Sequence, residues 1–313
     1  MISSTTKTVL TRLQAFGHGV VPNPEIPTPS FAAWDSVPAK RRAAVLVVLF
    51  ETKNPITNRV ELSTVLTTRA AHLSSFSGHV ALPGGKADSE QETAREAARR
   101  EASEEIGFPA MLPENDPIVD VARFPAYLSR NLLAVAPSIA YVPSPAQIPP
   151  LYGLPDVLPD DLDEVLRAGG EVGEVFSVPL RYFLYLHPPG STPGAPPGRK
   201  PPVTPWYTGG DAIWGGLSWW MHHFAVRRRV NKLPGEPAHF SVWGLTARIL
   251  LDVARVGYAQ VPEMRHTHNI GDEALLEALV SGGYMAVPRS KRDLSFNFAK
   301  AFGRDSPLLK SRL

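Results

Sequence analysis

The chain has 313 residues, 43% of them hydrophobic and 20% charged, which is the composition of a folded globular protein rather than a disordered or fibrous one. Its 32 basic and 30 acidic residues leave a formal charge of +2, too little for a general pull on polyanions, so nucleic acid is not an expected partner. There is no cysteine, which excludes disulfides, thiolate metal sites and thiol catalysis.

Residues 1–40 carry Pro22, Pro24, Pro27, Pro29 and Pro38 without sustained periodicity and read as an irregular amino-terminal arm; the main domain is expected over 41–262. Residues 43–50, rich in Val and Leu, read as a buried strand. Its hairpin partner is 60–67, across the turn signals Asn54-Pro55 and Asn58. That run is also the longest apolar one, far below the roughly 20 residues a membrane helix needs, so no span is expected. Residues 89–106 form the clearest helix, stopped by Gly107 and Pro109. Its alanines Ala94, Ala97, Ala98 and Ala102 make a stripe suited to close packing on a sheet, with Arg95, Arg99 and Arg100 pointing elsewhere. Further strands are read at 132–142 and 173–178, while 178–186 fits either a short helix or a strand. Residues 187–205 are too dense in Pro and Gly for a helix or ladder and read as a surface insertion. A long strand is expected at 217–230, and 240–243 leads into a largely apolar helix at 245–256. Residues 263–313 form a carboxyl-terminal extension, with a helix at 272–280 and then a basic, weakly periodic, poorly ordered tail. The histidines His222-His223 and His266-Thr267-His268 match no common metal-site spacing and read as ordinary strand or surface residues.

The chemistry gathers on the 89–106 helix. Glu101, Glu104 and Glu105 stand at i, i+3 and i+4, so their carboxylates share one patch about a turn long, where like charges repel unless a hard cation such as Mg²⁺ or Mn²⁺ is shared between them. Pro83-Gly84-Gly85-Lys86 precedes the helix as a turn that brings backbone and a cation near a bound anion. Ser89 and Glu92 fit a capping box at the helix start, so Glu92 is either a cap or part of the site. Arg100 either orients a glutamate or pairs with Glu104 along the helix surface.

Taken together, Gly85 to Phe108, with Glu92, Arg100-Glu101-Ala102, Glu104-Glu105 and Gly107-Phe108, resembles the Nudix box, with one extra residue in the loop before Glu92. Leu66-Thr67-Thr68-Arg69-Ala70 and Gly78-His79-Val80-Ala81-Leu82-Pro83-Gly84-Gly85 resemble the segment that precedes the box in coenzyme A diphosphatases. Glu171 to Phe176 and Trp243 to Ala247 resemble later blocks of that group. The resemblance implies an α/β/α sandwich with a mixed β-sheet. It also implies metals on Glu101, Glu104 and Glu105, catalytic roles for Glu101, Glu105 and Arg100, and a general base from outside the box, Glu174 or else Glu171. Arg69, Gly84, Gly85 and Lys86 are expected to hold phosphate. The implied reaction is hydrolysis of coenzyme A or acyl-CoA to 3′,5′-ADP and the 4′-phosphopantetheine half. The alternatives are a housecleaning diphosphatase for oxidised dNTPs or dinucleotides, and an inactive binding module. Ser311-Arg312-Leu313 matches the peroxisomal import tail, so the import receptor is an expected partner and the peroxisome the expected compartment, with the cytoplasm as the alternative.

Overall fold

A computed structural model describes residues 2–53, 59–70, 72, 77–109, 118–143, 170–188, 204–227, 239–286, 295–303 and 306–310. The first element corrects the expectation of an irregular arm. Helix α1 (Ser4–Gly17) is capped by the Ser3 hydroxyl, which accepts from the Thr6 amide at 3.1 Å. Val9, Leu13 and Phe16, spaced four and three apart, are buried along one stripe. The prolines begin only after the helix has ended, so the composition of 1–40 as a whole masked it. A short helix, α2 (Ala33–Ser36), then buries Trp34.

The central sheet is built from β1 (Arg42–Lys53), β2 (Val60–Arg69), β3 (Val80–Ala81), β4 (Gly84–Lys86), and, beyond helix α3 (Ala94–Ile106), β5 (Val119–Arg123), β6 (Tyr127–Leu128), β7 (Ala134–Val142) and β8 (Val172–Pro179). The spine runs β3-β2-β1-β7-β5, with β4 on β1, β6 on β7 and β8 on β2. The expected β1–β2 hairpin is present, and β1 pairs parallel with β7, which makes the sheet mixed. Strand β1 reads as an unbroken apolar run because both of its faces are covered. Ala44, Leu46, Val48 and Phe50 pack with Ala97, Ala98, Ala102 and Ile106 of α3. Val47 and Leu49 face the opposite layer.

A second antiparallel sheet follows, ordered β11-β10-β9: β9 (Tyr207–Trp214), β10 (Leu217–Arg227) and β11 (His239–Trp243). Strand β9 had no counterpart among the sequence expectations, and the 178–186 ambiguity resolves as the end of β8 followed by a 3-10 turn at Leu180–Leu184. Helix α4 (Gly244–Tyr258) completes the far layer against α1. A Cβ at Gly257 would lie 2.8 Å from Val9 Cγ1, so glycine there sets how closely the two helices approach. The result is the sandwich of helices about a mixed sheet that the sequence led us to expect.

The carboxyl-terminal part is α5 (Glu273–Ser281), α6 (Phe298–Phe302) and α7 (Pro307–Lys310). It is not a loose tail where it is described: Phe298 is fully buried, with its ring 5.0 Å from that of Trp214. Buried polar groups join it to the sheet. Asp272 pairs with Arg248 of α4 at 2.8 Å and accepts the Leu128 amide at 2.8 Å. Glu273 accepts the amides of Ala33 and Ala126 at 2.8 and 2.6 Å. Most of the Pro- and Gly-rich insertion and the final three residues lie outside the described residues.

His222 on β10 is an ordinary strand residue of an unusual kind, 4% exposed, with Nδ1 3.1 Å from the Tyr207 hydroxyl. Burial, and then the charges of Arg248, His266 and Arg255, push its pKa down to about 4. The folded pKa lies below the unfolded one, so the stability it contributes is full above pH 6.5 and is lost as pH falls toward 4. Between pH 7.5 and 4.5 the wild type is expected to lose roughly 2–3 kcal/mol more than His222→Phe in urea titrations. Parallel pH profiles for the two proteins would refute this.

Candidate active site

Helix α3 begins at Ala94 and not at Ser89. Two consecutive S/T-x-x-E patterns, Ser89–Glu92 and Thr93–Glu96, stand here, and the second caps the helix. The Thr93 hydroxyl accepts from the Glu96 amide at 3.2 Å, and the Glu96 carboxylate accepts from the Thr93 amide at 2.8 Å. Gly107, at φ +65°, closes the other end in the left-handed conformation that favours glycine. Glu92 is thereby released from capping the helix. Its carboxylate accepts from Arg100 Nε at 2.9 Å and from the Asp88 amide at 2.6 Å, staying in the loop before the helix.

Arg100 does both things the sequence left open, and more. Nη1 lies 3.2 Å from Glu101 Oε1 and 3.5 Å from Glu104 Oε1, while Nη2 donates to the Lys86 carbonyl at 2.9 Å. One guanidinium therefore ties the glycine turn, the loop carboxylate Glu92 and the helix carboxylates into a single unit. Arg99, expected on the charged face, is instead buried, paired with Asp120 of β5 and set against the Phe108 ring.

The Gly84-Gly85 turn meets the helix at close quarters. Strand β4 pairs with β1 so tightly that a Cβ at Gly84, where φ is +151°, would come within 2.2 Å of the Ala44 carbonyl oxygen. The Gly84 amide donates to Glu105 Oε2 at 3.0 Å. A Cβ at Gly85 would fall 2.3 Å from the Glu101 carboxyl carbon. These two positions predict different outcomes. Gly84→Ala collides with backbone and is expected to cost roughly 1–3 kcal/mol. Gly85→Ala collides only with the end of a flexible side chain and should melt close to wild type. Equal losses in thermal melts would contradict the assignment.

Burial raises the Glu101 carboxyl above its ordinary pKa, a shift that Arg100 opposes and that Glu104 and Asp88 add to. Burial likewise pushes Glu105 up to about 7; the Gly84 amide and Arg69 oppose this, and the charges of Glu101 and Glu171 add to it. Arg69, at the end of β2, pairs with Glu171 at 3.8 Å, so these two residues belong to the electrostatic surroundings of Glu105. Glu174 lies further along β8, opposite Thr68, and its amide donates to the Thr68 hydroxyl at 2.9 Å. Lys86 is exposed, and it is its carbonyl that is engaged.

Two partly buried carboxylates, held beside a glycine turn and destabilised in their charged forms, suit a hard divalent cation. Mg²⁺ in particular is commonly held by one or two carboxylates, with waters and substrate phosphates completing its shell. Among the described residues no three His, Asp or Glu side chains already converge as a metal cage, because Glu104 is turned out to Arg100 and is largely exposed. The donor set therefore fits a two-carboxylate site in which substrate supplies further oxygens.

A family model for the NUDIX domain matches residues 40–142. Over 293 residues the chain is 32% identical to the peroxisomal coenzyme A diphosphatase 1 of Saccharomyces cerevisiae, an alignment that covers 82% of this chain and 80% of that one. The chain belongs to the Nudix hydrolase family. It is also 32% identical over 224 residues to Nudix hydrolase 15, mitochondrial, of Arabidopsis thaliana, covering 71% of this chain and 60% of that one. With the Nudix hydrolase NudL of Salmonella paratyphi B it shares 30% identity over 217 residues, covering 69% of this chain and 82% of the relative. As a Nudix diphosphatase the protein acts on a small-molecule substrate, and Nudix hydrolases use divalent metal ions. No described helix is long and apolar enough to cross a membrane.

Proposed function

We propose that this Nudix enzyme hydrolyses the diphosphate of coenzyme A or acyl-CoA to 3′,5′-ADP and the (acyl-)4′-phosphopantetheine half. The observation that carries the reading is the packing of Glu101 and Glu105 against Gly85 and Gly84, in a chain 32% identical to a relative named as a coenzyme A diphosphatase. In this reading Glu101 and Glu105 hold Mg²⁺ or Mn²⁺, with Glu104 joining from the helix surface. When bound there, such an ion would neutralise charge on the diphosphate and lower the pKa of a coordinated water.

The chain's own residues do the rest. Arg100 is a positioning residue, clamped by Glu92, that sets the Glu101 carboxylate against the turn. Lys86 stands in the turn itself and Arg69 acts electrostatically on Glu105; both carry charge suited to phosphate oxygens. The general base comes from β8 or its approach: Glu174, or Glu171 beside Arg69. Gly85→Ala, which moves Glu101 without unfolding the chain, is expected to lower turnover roughly 10- to 100-fold.

Purified protein incubated with coenzyme A, acyl-CoA, NADH and oxidised nucleotides in Mg²⁺ or Mn²⁺, with products separated, tests the assignment. The first two are expected to turn over fastest. Turnover of the nucleotides alone would replace this reading with that of a housecleaning enzyme. The Ser-Arg-Leu tail and the peroxisomal relative support import into peroxisomes, and a tagged chain lacking Leu313 is expected to stay in the cytosol.

A further inference from the structure

Trp243 is a large aromatic residue on the outward face of a strand that alternates buried and exposed positions. Along β11, Phe240 and Val242 are buried, whereas Trp243 is 37% exposed. One exposed ring is ordinary in itself; what distinguishes this one is what holds it. Its orientation is held: the His79 ring meets the indole at 5.3 Å with an interplanar angle of 62°, edge against ring, an arrangement that leaves the indole able to present a face to a ligand.

The residue that holds the ring is joined in turn to the proposed site. The His79 carbonyl accepts the Arg69 amide at 3.0 Å, and Arg69 is the cation whose charge acts on Glu105. From His79 the chain passes through β3 and Pro83 directly into Gly84. At about 3.3 Å per residue the five steps put His79 at most about 17 Å from the glycine turn that packs on Glu101 and Glu105.

We propose that Trp243, propped by His79, is the stacking platform for the purine ring of the substrate's nucleotide half. The proposal rests on the reading above, in that it takes the substrate to be a nucleotide-containing diphosphate. It goes beyond that reading in naming the surface that recognises the base. Every base has a π face, so the platform contributes affinity for the nucleotide half rather than a hydrogen-bonded choice among bases.

The test is binding, which needs no turnover. Adenosine 3′,5′-bisphosphate and inorganic pyrophosphate are titrated calorimetrically into the full chain as wild type, Trp243→Ala and Trp243→Phe. Loss of the ring is expected to weaken the bisphosphate roughly 5- to 100-fold, with Phe restoring most of the affinity and pyrophosphate binding unchanged throughout. Undiminished nucleotide affinity in Trp243→Ala, equal loss of both probes, or no binding of the bisphosphate by the wild type each overturns the platform. If coenzyme A is not turned over while nucleotide binding still depends on Trp243, the substrate assignment fails and the platform stands.

Discussion

Glu105→Gln is expected to lower kcat on the order of 100- to 1,000-fold while leaving the metal-free protein as stable as the wild type or more so. Both halves of that expectation come from the same geometry. The carboxylate lies partly buried between the Gly84 amide and Glu101, and its charged form is disfavoured first by burial and further by Glu101. An amide keeps the shape and still accepts from Gly84 through its oxygen, but it carries no charge, so the repulsion disappears along with the ability to bind a cation. Residues kept for function at a cost in stability show this signature; residues kept for packing show the opposite one. Mn²⁺ or Mg²⁺ should raise the melting temperature of the wild type by mass action and have little effect on the variant. Thermal melts with and without metal, alongside steady-state kinetics, decide the matter. A variant within tenfold of wild-type kcat, or one that melts well below it, would remove Glu105 from the proposed metal site.

Asp272→Ala is expected to cost about 3–5 kcal/mol, far more than a surface carboxylate. Asp272 is 1% exposed and pairs with Arg248 at 2.8 Å, and it also accepts the Leu128 amide. Truncation leaves the largely buried Arg248 guanidinium with only the charge of Asp252 to offset it, and breaks the tie between α4, β6 and the start of α5. Replacing both partners, as Asp272→Ala with Arg248→Met, should recover part of the loss, since a buried pair removed together leaves no orphan charge. Urea unfolding of the single and double variants reads this directly, and a single-variant cost below about 1 kcal/mol would show that the pair contributes little. The stake is the role of the carboxyl-terminal segment. Through Asp272 and Glu273 it forms part of the packed body that supports β6, β7 and, through β1, the glycine turn.

How much of this was legible in the chain differs from element to element. The placing of Glu101, Glu104 and Glu105 along one helix was, because its 3.6-residue period sets their spacing without reference to anything else, but which of them face the glycine turn was not. The pairing of β1 with β2 was legible too, being a local hairpin, as was the alanine stripe of α3. The start of that helix was not: Ser89-Glu92 and Thr93-Glu96 are equally good caps in isolation, and in the folded chain Arg100 and the Asp88 amide hold the Glu92 carboxylate while Thr93 and Glu96 make the capping box. Strand β9 was hidden because a half-exposed edge strand carrying Gly209 and Gly210 has no strong pattern of its own.

Sequence alone determined the chemical type of this protein: three acids at helical spacing, a glycine turn ahead of them, and the absence of any thiol, all local properties of covalent order. Tertiary structure alone decided which acids are buried, that one arginine joins turn, loop and helix, that residues 4–17 are a packed helix, and that Trp243 stands beside His79. Those are contacts between residues far apart in the chain. Their free energies depend on burial and on charges brought near by folding, and no local pattern encodes either.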